Sequence, residues 1–160
     1  MPDFNGNRNY DAARPGGGRS GNNRNEPLTL PIGYLQGGYY SDTEKLKLRK
    51  EYIVDYPKDI ANLLERDGGR DANKRSQIRR FYEYLLRVES KMNLPNNDFS
   101  SIEADFMELI PHVTYAGQRR VVSKVFIEFI DKNVAAVHDE KDVRAFVKHF
   151  EAVIAFTKKD

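Results

Sequence analysis

From Ser41 onward, apolar side chains recur every three or four residues, the spacing of amphipathic helices. The clearest case is the stretch KRSQIRRFYEYLLRVESK, residues 74–91. One face of this predicted helix carries the apolar set Ile78, Phe81, Tyr82, Leu85, Val88 and Met92. Arg80 and Arg87 fall on the opposite face, while Arg75 and Arg79 lie one turn apart on a flank. Aromatic residues at this spacing predict a buried core face rather than a stacking surface.

Two shorter helices are predicted before this one. Residues 41–56, SDTEKLKLRKEYIVDY, open with a cluster of helix-capping residues and indicate a short helix. Pro57 suits the first position of the next helix, and Gly68 and Gly69 end it, because glycine favours the position after a helix.

Three further segments complete the predicted domain. A helix begins near Ser101 and is interrupted at Pro111, because proline removes a backbone hydrogen bond. Residues 118–137 are apolar over most of the helix circumference, which predicts the centre of a bundle, and a last helix follows Asp139. No stretch alternates with period two, so we predict an all-α, compact bundle of about five helices.

Residues 1–40 differ in character. The segment 5–27 is rich in Gly, Asn and Arg and cannot bury enough apolar surface to offset the entropy lost on ordering. It predicts a disordered tail that is either solubilising or in contact with RNA. Residues 27–40, PLTLPIGYLQGGYY, carry side chains that could dock as an extended strip. The predicted organisation is a disordered or loosely docked tail at 1–40 and a helical bundle domain at 41–160.

Composition narrows the chemistry. The chain has no cysteine, which excludes disulfides and thiolate metal sites, and no apolar run near the roughly 20 residues of a membrane span. Its three histidines are scattered without the spacing of a zinc motif, and no phosphate-binding loop follows a strand. These features predict a cytoplasmic protein that is not an enzyme and has no cofactor or metal.

Two basic clusters remain after this exclusion. With 26 Lys and Arg against 24 Asp and Glu, the net charge of +2 is too small to indicate nucleic-acid binding, so only clustering can. One cluster is Arg70, Lys74, Arg75, Arg79 and Arg80; the other is Arg119, Arg120 and Lys124. Both are predicted at helix N-termini, where the dipole disfavours cations, so an anion such as phosphate would explain them. A solvated surface, with Glu83 pairing Arg79 and Arg87, is the alternative.

Three segments resemble the signature regions of one family. RSQIRRFYEYL at 75–85 resembles its Ser-x-(Ile/Leu)-Arg helix start, and HVTYAGQRR at 112–120 resembles its Tyr-Ala-x-x-Arg segment. FVKHFEAVIAFTK at 146–158 resembles its closing helix, with Phe156–Thr157 departing from the usual pair. The family is the small subunit of the type III-A CRISPR effector, the Csm complex, and the resemblance covers about residues 57–160.

The resemblance implies a non-catalytic helical subunit of a ribonucleoprotein for antiviral defence. Copies would stack head to tail, beside the backbone and large subunits of the complex, and line the groove that holds CRISPR RNA paired with target RNA. Contacts would reach the RNA backbone without sequence choice. The residues expected to bind RNA are Arg79, Arg119, Arg75, Arg120, Lys74 and Lys148, of which Arg79 and Arg119 match motif arginines.

Other readings stay open from the residues alone. The helix start Arg75–Arg80 could belong to a DNA-binding regulator, although few base-reading side chains accompany its arginines. A helical protein–protein adaptor has no specific feature against it. Arg119 could also be a buried structural arginine.

Overall fold

A computed structural model describes residues 28–160 of the chain. The predicted disorder of residues 1–27 lies outside the described residues. The helices that follow confirm the all-α prediction, and no β-strand forms in residues 28–160, where one isolated bridge pairs Tyr40 with Leu48.

Six α-helices form the bundle within residues 28–160. Their bounds are α1 Asp55–Gly68, α2 Arg75–Met92, α3 Phe99–Met107, α4 Leu109–Gln118, α5 Lys124–Ala136 and α6 Glu140–Phe156. A 3₁₀ turn, Lys50–Tyr52, directly precedes α1. Helices α3 and α4 are the predicted interrupted helix, broken at Glu108, so that the missing N–H of Pro111 falls within the first turn of α4. Counted as one element they leave five helices, in agreement with the predicted number of about five.

The core lies where α6 and α5 meet. Helix α6 packs against α1 and α2, and α5 packs against α4. Phe129 of α5 meets Phe146 and Phe150 of α6 with ring centroids 6.1 and 5.2 Å apart. The predicted apolar face of α2 closes this core, since Ile78 and Leu85 are fully buried. Burial of side chains of this size contributes about 1.5–3 kcal/mol each.

The helix predicted for residues 41–56 is wrong over most of its length. The Asp42 carboxylate accepts hydrogen bonds from the backbone N–H groups of Leu46 and Lys47 at 2.8–3.1 Å. Lys45 adopts a left-handed conformation with φ of 56°. A local side-chain turn has therefore replaced the helix that the same capping residues suggested.

The start of the long apolar helix was also predicted wrongly. Helix α5 begins at Lys124, and Arg119 and Arg120 instead follow the C-terminus of α4. The N–H of Val121 donates to the carbonyl of Ala116, and that of Arg120 to Gly117, both at 2.9 Å. Arg120 takes the left-handed position of this ending with φ of 59°. The two arginines are thus placed where a helix dipole favours cations.

Residues 28–40 dock on the bundle, as the sequence suggested, but as turns rather than an extended strip. Leu30, Tyr34 and Tyr39 are buried there, while Leu35 and the nearby glycines turn the chain with positive φ. The boundary at about residue 40 stays a prediction. The structure adds that these three side chains belong to the continuous apolar core.

A buried polar network fixes this segment. Tyr34 donates its hydroxyl proton to His149 Nε2 at 2.6 Å, and His149 Nδ1 lies 2.6 Å from the carbonyl oxygen of Tyr52. Asn133 accepts from the Tyr39 hydroxyl at 2.7 Å and donates to the Tyr34 oxygen at 2.8 Å. No buried side-chain polar atom in the described part of the chain lacks a partner. The network therefore joins the N-terminal segment to α5 and α6 without an unsatisfied group.

We expect acid to weaken the fold through His149. Burial lowers the pKa of His149 from 6.5 to about 4, although its bond to Tyr52 opposes the shift. Below pH 6.5 His149 is protonated in the unfolded chain but stays neutral in the folded chain. The free energy of unfolding therefore falls as the pH falls from about 6.5 to about 4. The loss approaches about 3 kcal/mol. Urea unfolding of wild type and His149→Gln across this range measures it.

The variant should show a smaller pH dependence, whatever its own stability. His138→Gln removes an exposed histidine instead and should keep the wild-type dependence. Equal dependence in wild type and His149→Gln would contradict the assignment.

Candidate nucleic-acid interface

The start of α2 carries the first predicted basic cluster. Lys74 precedes the helix, Arg75 is its first residue, and Arg79 lies one turn later on the same flank. Lys74 and Arg79 are exposed and Arg75 is half-buried. The predicted cations therefore do gather at a helix N-terminus here.

The anion at this helix start is part of the chain itself. The Asp160 carboxylate accepts from the backbone N–H groups of Arg75 and Ser76 at 2.5 and 2.9 Å. Hydrogen bonds from the side chain and backbone of Ser76 lower the pKa of Asp160, and the N–H of Arg75 and the charge of Lys74 add to the effect. The N–H groups at the start of α2 that were expected from the sequence to meet phosphate thus already donate to Asp160.

The predicted ion pairs of Glu83 are only half correct. Arg79 Nε lies 3.2 Å from Glu83 Oε1, in the ordinary helical i,i+4 geometry. Arg87 makes no ion pair among residues 28–160, and its guanidinium instead lies 5.5 Å from the ring centre of Tyr84. The interpretation of Arg87 as salt-bridge surface is therefore wrong.

The second predicted cluster lies at the turn between α4 and α5. Arg119 and Arg120 are both exposed, so Arg119 is not a buried structural arginine. Its guanidinium lies 5.7 Å from the ring centre of Tyr115. Neither arginine forms an ion pair within the part of the chain that the structure describes.

Asn73 brings the two clusters together. Its backbone N–H donates to the carbonyl of Val121 at 3.1 Å, and its side chain exchanges two hydrogen bonds with Ser123 at 2.6 and 2.8 Å. A third side-chain bond, at 3.0 Å, reaches the carbonyl of Leu64 in α1. Because Asn73 directly precedes Lys74, the start of α2 and the turn 119–123 are held side by side.

The six predicted residues nevertheless occupy three places. Lys74, Arg75 and Arg79 surround Asp160, whereas Arg119 lines a groove between α2 and α4 together with Arg80. Arg120 is the residue after Arg119 in the same turn.

Lys148 lies apart from both groups. It is on α6 and lines a separate depression with Glu89 and Arg144. Burial raises the pKa of the Glu89 carboxyl, and the charges of Arg144 and Lys148 oppose that rise. The structure therefore gives Lys148 a local acidic neighbour and does not bring it to the other five residues.

Sequence reasoning missed several contributors. Asn73 and Asp160 act through contacts between distant parts of the chain, so no local pattern marks them. Arg80, Tyr84 and Arg87 share one flank of α2, and their spacing was available in the sequence. Tyr115 is part of the Tyr-Ala-x-x-Arg segment, but that motif does not indicate that the Tyr115 side chain is 60% exposed.

Other kinds of site find little support in residues 28–160. No group of three or more His, Asp or Glu side chains is placed there to hold a metal ion. None of the helices in this range has the length and hydropathy needed to cross a membrane. What the described residues offer is a helical bundle with an exposed basic end.

Residues 28–160 therefore form a small α-helical protein with exposed arginines at the start of α2 and after α4. The family described as Csm2 Type III-A matches residues 47–159, so the chain belongs to the Csm2 family, the small subunits of the type III-A Csm effector complex of CRISPR systems. No curated protein and no solved structure matched the chain. The family match confirms the resemblance found in the sequence.

Replacing Asn73 should loosen the junction between the two clusters. Asn73→Ala removes three side-chain hydrogen bonds at a half-buried position, and each is worth about 1 kcal/mol. Asn96→Ala is the control, because the exposed Asn96 also has a positive φ, of 66°, but makes no side-chain hydrogen bond within residues 28–160.

We expect Asn73→Ala to lower the free energy of unfolding by about 2–4 kcal/mol more than Asn96→Ala does. Urea denaturation followed by circular dichroism measures the difference. Equal losses would show that the side-chain bonds of Asn73 do not stabilise the junction.

Proposed function

We propose that this protein is a non-catalytic, RNA-binding small subunit that acts in the cytoplasm within the Csm effector ribonucleoprotein. Several copies stack head to tail, beside the backbone and large subunits, and line the groove holding CRISPR RNA paired with target RNA. Lys74, Arg75, Arg79, Arg119 and Arg120 contact the RNA backbone, and Lys148 is a more distant contact. Sequence is read by base pairing, so these contacts carry no base preference.

The junction at Asn73 is the observation that carries this proposal. It holds two basic segments, the start of α2 and the turn 119–123, next to each other in the fold. Arginines without ion-pair partners among the described residues, such as Arg119 and Arg120, keep their charge available for an external anion. Phosphate contacts need such a shared cationic surface and no base-reading side chain.

A DNA-reading role for the start of α2 fits less well. The side chains that could read bases there are Ser76 and Gln77. The Ser76 side chain is hydrogen-bonded to Asp160, and the Gln77 side chain accepts a hydrogen bond from the N–H of Lys74 at 3.3 Å. The arginines are therefore left without the amide and hydroxyl partners that recognise base edges.

Purification of the tagged full-length chain from its host tests the assembly. We expect the protein to elute with other Csm subunits and a short CRISPR RNA, detected by mass spectrometry and RNA sequencing. A duplex DNA operator as the bound nucleic acid would instead support a regulator. A single protein partner without RNA would support an adaptor, and either outcome would contradict the proposal.

Removing two arginines tests the mechanism of contact. Arg79→Ala combined with Arg119→Ala should weaken binding of the full-length chain to unrelated RNA sequences by the same factor. Binding without these two phosphate contacts releases fewer counterions. The negative slope of log affinity against log salt should therefore become shallower by about 2 units. Fluorescence anisotropy over a salt series measures both quantities.

The control removes the same charge elsewhere, with Lys58→Ala and Lys132→Ala at exposed positions outside both clusters. This pair should change the slope much less. Weakening that depends on the RNA sequence would rule out backbone contact as the mechanism.

A further inference from the structure

The groove between α2 and α4 has a composition that backbone contact alone does not explain. Its ten lining residues include four aromatic rings and three arginines, and none is acidic. We call it the aromatic groove: Phe81, Tyr84, His112 and Tyr115 supply the rings, and Arg80, Arg87 and Arg119 the charges. Its volume is about 420 Å³, which is in the range of small-ligand sites.

One side of the aromatic groove is built rigidly. The Tyr84 hydroxyl donates to the carbonyl of Asp105 at 2.7 Å and lies 2.9 Å from Glu108 Oε2. Burial, followed by the bond to Glu108, raises the pKa of Tyr84 to about 12, so the hydroxyl keeps its proton and remains a donor. The His112 ring meets Tyr84 edge to face at 5.0 Å. These contacts fix the position of the Tyr84 ring in the lining of the groove.

The other side is open. Tyr115 is 60% exposed, and within residues 28–160 it pairs with no other aromatic ring. Arg119 stands over Tyr115, and Arg87 stands over Tyr84, at 5.7 and 5.5 Å from the ring centres. Within residues 28–160 none of the three groove arginines forms an ion pair. The groove therefore offers stacking surfaces and positive charge at the same point.

We infer that the aromatic groove binds one unpaired nucleobase of the RNA, stacked on Tyr115, with the adjoining phosphates at Arg80, Arg87 and Arg119. This inference rests on the proposed RNA-binding function and adds a site for a base to it. Exposed aromatic and guanidinium planes are the surfaces on which splayed bases stack. An apolar peptide would need aliphatic contacts, whereas the only aliphatic lining residues among the described ones are Ala116 and Val121. The three lining arginines suit phosphate better.

Binding of two RNA probes by the full-length chain tests this site. One probe is a plain RNA duplex, and the other is the same duplex with one unpaired 2-aminopurine nucleotide. We expect tighter binding of the second probe, by at least about fivefold for one stacked base, and quenching of its fluorescence on binding. Tyr115→Ala and Tyr115→Leu should remove both effects, whereas Tyr115→Phe should keep them, because only the ring stacks.

Phe156→Ala is the matched control, since it removes another exposed aromatic ring, 44% exposed, at the end of α6. It should leave the preference between the two probes unchanged. The preference is a ratio for each variant, so a general loss of stability or charge does not imitate it.

The possible results separate the two proposals. If wild type binds neither probe at low salt, the RNA-binding function fails and this inference falls with it. Equal binding of both probes, or a preference that survives Tyr115→Leu, overturns the nucleobase site while backbone binding stands. If Tyr115→Ala alters self-association in sedimentation but not the preference, the groove is a protein interface and the inference is wrong.

Discussion

The side-chain amide of Asn73 is the point at which α1, the start of α2 and the start of α5 are joined. Its donors reach Leu64 and Ser123, and its acceptor takes the N–H of Ser123. Asparagine suits this place because it tolerates the left-handed backbone observed, with φ of 59°. The space around it is also limited, since a Cβ on Gly68 would come within 3.0 Å of the Asn73 side chain. The hydrogen bonds of Asn73 thus set the distance between the start of α2 and the turn 119–123.

The sequence predicts the bundle well because helical periodicity is a local property. The apolar faces of α2 and α6 follow from it, and Ile78, Leu85, Phe146 and Phe150 are buried as their positions indicate. The prediction of helix ends fails where a residue other than glycine adopts the left-handed conformation of a turn. Arg120 occupies a left-handed position that normally signals itself by glycine, so the end of α4 was taken for the beginning of α5.

The candidate site was harder to predict than the fold. Clusters of basic residues in the sequence indicated the exposed arginines. The contacts around these arginines, however, involve residues that are distant in the sequence. The bonds between Asn73 and Ser123 span 50 residues, and the contact between Asp160 and Arg75 spans 85. The aromatic groove likewise needs α2 and α4 to pack side by side before Tyr84 and Tyr115 face the same space. Spacing within one helix contains no information about any of these contacts.

The Asp160 carboxylate occupies the backbone N–H groups at the start of α2, so any external anion would compete with it for them. Because the carboxylate is tethered to the same fold, its effective concentration there stays constant when the protein is diluted. A phosphate that approaches Arg75 and Ser76 must exchange with it rather than fill an empty place. Such exchange disfavours isolated, weakly held anions and favours a polyanion that engages several cations together. If the start of α2 binds RNA as proposed, Asp160 would make its first turn select anions by valency, whereas Arg119 and Arg120 after α4 form no ion pair within residues 28–160.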